Sequence, residues 1–208
     1  MSQSVVIPLF APGRRRRLGG DDLALVEAIQ SGEAAGTAEI FERYGAHVQR
    51  VLANILGFDS ELPDLLQEVF VRALGSIHSL NDGARLKAWL TSIAVFTARG
   101  CIRARTRRRW LGLLPPDRLD HFSAARVPEE TREALRCTYE LLERLPANER
   151  LAFTLRYVSG MELIELAQVS GVSLATIKRR LARARRRFLA LARLQPALHT
   201  WLSEDPHE

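Results

Sequence analysis

Residues 161–188 read MELIELAQVSGVSLATIKRRLARARRRF, and their spacing decides the fold of the C-terminal third. Leu163, Leu166 and Ala167 define a short helix. Ser170-Gly171-Val172 is a tight turn, in which Gly171 takes a positive φ without steric cost. Ser173 is placed to cap a longer helix by accepting from a backbone N–H of its first turn. On that second helix Leu174, Ile177, Leu181, Ala184 and Phe188 face inward. Ala175, Lys178, Arg179, Ala182, Arg183 and Arg186 point away. A small alanine on the first helix, a glycine in the turn and a basic second helix describe a helix-turn-helix. A solvated basic helix on some other α-bundle is the plainer alternative. Turn, cap and charge agree with one another, which favours the motif.

In such a motif the second helix enters the major groove, and its N-terminal side chains lie nearest the base edges. By position, Ser173, Leu174, Ala175, Thr176, Lys178 and Arg179 are placed to meet bases. Lysine and arginine suit the acceptor edge of guanine. Arg183, Arg186 and Arg187 are placed to hold phosphates, which fixes register rather than sequence.

Working outward, the same basic character recurs earlier. Between Glu165 and Glu204 there is no acid, yet there are Lys178 and seven arginines; between Asp82 and Asp117 there is again no acid, with Lys87 and seven arginines. Together the windows carry +16, so the rest of the chain sums to −10 to give the net +6. Segregation on this scale points to two surfaces that meet a polyanion, nucleic acid first and a membrane surface second. An apolar fraction of 47% over 208 residues fills an ordinary core. Two cysteines, Cys101 and Cys137, are too few for a disulfide framework or a zinc cluster and fit a reducing cytoplasm. No apolar run approaches a membrane span. The cluster Arg14–Arg17 follows a short apolar stretch, the reverse of a secretory signal, so residues 1–20 are expected to be a disordered basic tail.

The rest of the chain reads as helical. Ile40, Phe41, Tyr44, Val48, Leu52 and Ile55 form one apolar stripe. Leu62, Leu65, Leu66, Val69, Phe70 and Ala73 form another, with Pro63 in its first turn and Ser60 as the expected cap. Residues 75–83 read as a loop ending in Asn81-Asp82-Gly83 turn chemistry. A third helix starts near Leu86, with Trp89, Ile93 and Phe96 on one side and Trp89 mostly core. Prolines at 115, 116 and 128 without sustained period mark a linker over 111–130. Leu135, Leu142 and Leu145 resume the helical pattern, and Pro146 breaks it before Leu151, Leu155 and Val158. The expected fold is all-α: two small helical domains, 21–110 and 131–195, joined by a flexible linker, with a tail over 196–208. Nothing resembles a nucleotide-binding glycine loop, a metal-ligand spacing or an acid/base pair. No enzyme activity, cofactor or metal is therefore expected, and the five dispersed histidines are treated as incidental.

One further segment sorts its chemistry by face. In Asp64-Leu65-Leu66-Gln67-Glu68-Val69-Phe70 the apolar residues turn to the core and Asp64, Gln67 and Glu68 are left outside, with Arg72 on the Glu68 side. It is followed by Leu86 to Ala94, the first arginine cluster and finally the helix-turn-helix. This order resembles the bacterial RNA polymerase sigma factors, above all the small two-domain extracytoplasmic-function (ECF) group. The likeness covers roughly 21–109 for region 2 and 138–189 for region 4. It is carried by the strings 64–70, 87–90, 145–150, and 166–167 through 183–185.

The resemblance implies roles. Asp64, Gln67, Glu68 and Arg72 are expected to dock on the clamp helices of the largest subunit of core RNA polymerase. Asn81, Lys87, Trp89, Arg99 and Arg103 are expected to handle the unpaired strand of the minus-ten promoter element. The second helix of the helix-turn-helix is expected on the minus-thirty-five element of promoter DNA. An anti-sigma factor is an expected partner, and the site of action is cytoplasmic without membrane insertion. Departures from the family pattern are visible. Phe96 and Gly100 stand where asparagine and aspartate are usual, Leu62-Pro63 replaces a common Ala-Glu pair, and Arg179 replaces a common serine. Two other readings remain at this point: a helix-turn-helix regulator that never joins polymerase, and a sigma-like polymerase-binding protein without promoter melting.

Overall fold

The computed structural model describes residues 21–57, 59–111 and 128–200. The described residues form eight α-helices and no strand: α1 (Asp22–Gln30), α2 (Ala34–Leu56), α3 (Leu62–Ser76), α4 (Leu86–Trp110), α5 (Glu129–Glu143), α6 (Ala147–Phe153), α7 (Leu163–Ser170) and α8 (Leu174–Ala192). The basic N-terminal tail and most of the linker lie outside the described residues.

Local chemistry sets the helix ends. Asp21 caps α1 by accepting from the Leu23 N–H at 3.0 Å. The expected cap at Ser60 does not form. α3 is preceded by Glu61, no side chain caps it, and the neighbouring Asp59 carboxylate instead accepts from the Glu61 N–H at 2.8 Å. Pro63 does occupy the first turn. The expected loop over 75–83 is shorter than its sequence suggests. α3 runs through Gly75 to Ser76, a 3₁₀ turn covers Ile77–Ser79, and a second covers Gly83–Arg85. Asp82 caps that second turn through the Ala84 N–H at 3.0 Å. Gly83 is required there, because a Cβ would lie 2.7 Å from the Leu23 Cα. At the other linker boundary, Glu129 and Glu130 already form the first turn of α5.

α1 to α4 pack around Leu25, Ile40, Leu52, Leu86 and Leu90, all fully buried. This core does not stop at the linker. Leu151, Leu155, Leu166 and Ile177 from α6 to α8 belong to the same contiguous cluster. α6 and α7 pack on α4, and the π-turn Thr154–Val158 packs on α2. The helix-turn-helix therefore rests on the flank of α4, so the two sequence-level domains share one interior.

The C-terminal end of α2 fastens this packing. Its last carbonyls carry the negative end of the helix dipole, and that of Ala53 already accepts the Gly57 N–H at 2.8 Å. The buried Arg150 of α6 donates from Nε to the Ile55 carbonyl at 3.0 Å. Tyr139 Oη of α5 reaches the Ala53 and Asn54 carbonyls at 3.4 and 3.3 Å. Asn54 Nδ2 donates to Ser159 Oγ at 3.0 Å. Gly57 ends α2 with φ of +82°, and the Tyr139 ring lies 3.0 Å from where its Cβ would be. Arg109 and Glu143 add a bridge of 2.6 Å between α4 and α5.

Candidate protein and nucleic-acid interfaces

On α3, Leu65, Val69 and Phe70 are buried while Asp64 and Gln67 are exposed. Glu68 pairs with Arg72 one turn later, with their side chains 44% and 46% accessible. A pair this exposed adds little stability, in the range of ~0.3–0.5 kcal/mol. Its value lies in fixing a pattern of charge on an otherwise free face. Val71, 53% exposed, adds an apolar point beside it.

α4 presents the first basic window. Lys87 and Arg103 are exposed, Asn81 is exposed in the preceding turn, and Arg99 is half-buried. Trp89 is half-buried and packs against the core, as its spacing with Ile93 indicates. Not every arginine of the window faces outward. Arg105 turns in and pairs with Asp59 and Glu61, each at 2.5 Å, with the Asp59 side chain only 6% accessible. The two carboxylates raise its pKa against the opposing effect of burial, which is the largest single influence. This arginine locks α4 to the α2–α3 connection and is unavailable to DNA.

α8 presents the second window. Ser173 caps it through the Thr176 N–H at 3.3 Å. Gly171 closes α7 in the left-handed region, with φ of +63°. Ile177, Leu181 and Ala184 are buried, and Phe188 is half-buried. Leu174 departs from the expected inward face: at the first residue of the helix it is 37% exposed. Ala175, Lys178, Arg179, Arg183 and Arg186 are exposed, and Thr176 is half-buried. Among the described residues Lys178, Arg183 and Arg186 form no salt bridge. Arg179 donates to Thr176 Oγ1 at 3.3 Å. Arg187 is instead held by the buried Glu149 of α6 at 2.8 Å. It orients α8 rather than standing free for phosphate.

Between α4 and the helix-turn-helix lies a crevice of about 250 Å³, lined among others by Phe96, Arg99, Asn148, Gly171, Ile177 and Arg180. Burial lowers the Arg180 pKa, and Arg99 and Arg103 add like-charge repulsion. The two basic windows thus approach each other edge to edge in this arrangement. Sequence spacing carried no sign of that contact, nor of Arg150 and Arg105 as interior cations. His47, expected to be incidental, bonds Thr91 Oγ1 at 2.8 Å on the flank of Lys87.

Comparison with known proteins agrees with this geometry. The sigma-70 region 2 family matches residues 40–111 and the sigma-70 region 4 family matches residues 135–188. The chain belongs to the ECF sigma-factor family. It is similar to the ECF RNA polymerase sigma-E factor of Haemophilus influenzae, 28% identical over 179 residues that cover 79% of this chain and 91% of that protein. The sigma-E factor of Escherichia coli K12 is 26% identical over 173 residues, covering 79% and 90%. Two solved structures share the fold at a TM-score of 0.57. One is CnrH in complex with the cytosolic domain of CnrY, at 22% identity, covering 84% of this chain and 98% of that one. The other is the Bartonella quintana sigma factor RpoE in complex with the anti-sigma factor NepR, at 24% identity, covering 74% and 95%. The region 2 match ends where α4 ends, and the region 4 match runs from within α5 through most of α8. In this sigma factor, then, the crevice lies between region 2 and region 4. No described helix is long and apolar enough to cross a membrane.

Proposed function

We propose that this sigma factor binds core RNA polymerase through α3, recognises a two-part promoter through α4 and α8, and helps open the DNA. The observation that supports it best is the division of labour among three helices. α3 offers acid and amide groups suited to a protein partner. α4 offers Lys87, Arg99 and Arg103, and α8 offers Lys178, Arg179, Arg183 and Arg186, none of them in a salt bridge among the described residues and all suited to phosphate and base edges. Asp64, Gln67, Glu68 and Arg72 meet the clamp helices of the largest polymerase subunit. Asn81, Lys87, Trp89, Arg99 and Arg103 serve the minus-ten element. Ser173, Leu174, Ala175, Thr176, Lys178 and Arg179 meet the minus-thirty-five bases, with Arg183 and Arg186 on phosphates. A helix-turn-helix regulator needs only α8 and leaves the α3 face without purpose.

In this reading the linker lets regions 2 and 4 part and occupy promoter elements well separated along the duplex. Binding of one then raises the effective concentration of the other. An anti-sigma factor is the natural regulator, holding the two basic faces away from DNA in the cytoplasm.

Transcription from a promoter library by purified core polymerase, with and without the protein, tests this. New sequence-selective start sites are expected only with the protein. Stable binding to polymerase without transcripts contradicts the opening role, and no binding at all returns the weight to an independent regulator.

A further inference from the structure

Most arginines that the fold draws inward are paired. Arg43, Arg132 and Arg156 are half-buried and hold carboxylates, and the buried Arg105 holds two. Arg99 of α4 and Arg180 of α8 are half-buried as well, yet neither forms a salt bridge among the described residues. Both line the crevice between region 2 and region 4, one from each side, and no carboxylate is among its lining residues. Arg103 brings a third cation close enough to act on Arg180, whose charged form is disfavoured first by burial and then by Arg99 and Arg103. Asn148 of α6 lines the same crevice, with its Oδ1 buried and unpartnered. Like charges closed against one another around an unsatisfied polar atom call for a counter-ion from outside the chain.

Two guanidinium forks on one crevice favour phosphate over a simple halide, because each fork pairs with two oxygens at once. A space of about 250 Å³ lies at the small end of ligand sites, so its occupant is a small molecule rather than a nucleic-acid strand. We propose that the crevice between α4 and the helix-turn-helix binds a small phosphorylated anion through its diphosphate group, bridged by Arg99 and Arg180. Ser92, Gln168 and Ser170, which also line it, offer hydroxyl and amide donors to the remaining oxygens. A ligand hydroxyl or a protonated phosphate satisfies Asn148 Oδ1. An anion that touches both regions binds only while they are packed together, and so stabilises that arrangement. Where α4 and α8 must part to reach the promoter, the same anion opposes assembly with polymerase by linkage. That regulatory consequence rests on the function proposed above, whereas the site itself does not.

The test is titration calorimetry of the full chain with inorganic pyrophosphate, in magnesium-free buffer at constant ionic strength. One saturable site per chain is expected. Arg99→Gln and Arg180→Gln should each weaken binding by about 10- to 150-fold, the range for losing a hydrogen bond to a charged group. Arg183→Gln, on the exposed face of α8, should weaken it less than about threefold, since salt screens an exposed charge outside the crevice. No saturable binding, or equal losses in Arg180→Gln and Arg183→Gln, overturns the site and leaves only general attraction to a basic surface. A nucleoside diphosphate that binds more tightly than pyrophosphate identifies a nucleotide as the source of the diphosphate, and one that binds no more tightly identifies free pyrophosphate. Inorganic phosphate binding as tightly as either overturns the diphosphate requirement. Arg180→Gln relieves like-charge repulsion, so its unfolding midpoint should be no lower than that of the wild type, and pyrophosphate should raise the midpoint of the wild type alone. Saturating pyrophosphate should also weaken core-polymerase binding by the wild type about 5-fold or more and leave Arg180→Gln unaffected. Unchanged polymerase affinity beside intact pyrophosphate binding overturns the regulatory consequence and leaves the site standing. A chain that never binds polymerase overturns the proposed function, and the calorimetry still decides the site.

Discussion

Lys178 and Arg179 stand on the first exposed turn and a half of α8, where a docked helix is closest to base edges. Replacing either by alanine should cost about 1–3 kcal/mol and alter which upstream bases are preferred, read by binding to a randomised minus-thirty-five element. Unaltered preference in both variants would remove α8 from its recognition role. Glu68→Ala should instead weaken polymerase binding and leave isolated DNA contacts intact. His47 makes a prediction of a different kind. Burial lowers its pKa, and Lys87 and Arg50 push it the same way. Its folded-state pKa is therefore below the ordinary value of about 6.5, and folding favours the neutral ring. The stability this contributes is full above about pH 6.5 and is lost as pH falls below it, because the unfolded chain takes the proton first. His47→Gln should flatten the fall in unfolding midpoint between neutral and mildly acid pH. These single-residue roles were unevenly legible. The outward placement of Lys178, Arg179 and Asp64 follows from helical spacing, whereas the docking role proposed for the α3 acids rests on the family resemblance. His47 acquires its partner, Thr91, from a different helix, which spacing along the chain does not report.

At the scale of helices, the start of α4, the turn at Gly171 and the Ser173 cap all lie where local chemistry places them. The Ser60 cap does not, because Asp59, one residue away, takes the backbone N–H and also reaches Arg105. That cluster is long-range, 40 residues and more in sequence, so the arginine run of α4 reads as uniformly solvent-facing until the fold is known. Arg105→Ala strands the buried Asp59 carboxylate and should destabilise the protein by about 3–5 kcal/mol in denaturant unfolding. Joining it with Asp59→Asn and Glu61→Gln should recover a good part of the loss. No recovery would mean that the arginine contributes by packing alone. The end of α8 offers a similar lesson. Residues Pro196–Leu198 form a further turn, and Leu198 is buried beside Ala134 and Leu141 of α5. The tail expected from residue 196 therefore begins as part of the fold.

The whole molecule differs most from its sequence-level outline. Composition separates two domains, and the linker between them is legible from its prolines. Their shared interior is not, since the residues that make it, such as Leu90 and Leu166, look like ordinary core positions within each half. Docking on the α2 terminus is the least expected feature. Arg150, with its pKa pushed down to about 10 by burial, leaves Nη2 without a partner there. A buried group left unsatisfied costs free energy, so the packing holds the halves together without being optimal. Tyr139→Ala removes both the ring over Gly57 and the hydroxyl at the α2 carbonyls. It should increase the radius of gyration in X-ray scattering while leaving the helical circular-dichroism signal intact. An unchanged radius would show that this contact does not hold regions 2 and 4 together.

The central claim is that the protein, joined to core polymerase, opens promoter DNA. Permanganate reactivity of thymines at a promoter recovered from the library measures this directly. Reactive thymines across the minus-ten element should appear only when core polymerase and the protein are both present. An upstream footprint over duplex that stays unreactive would contradict the account and leave a DNA-binding protein that does not melt its promoter.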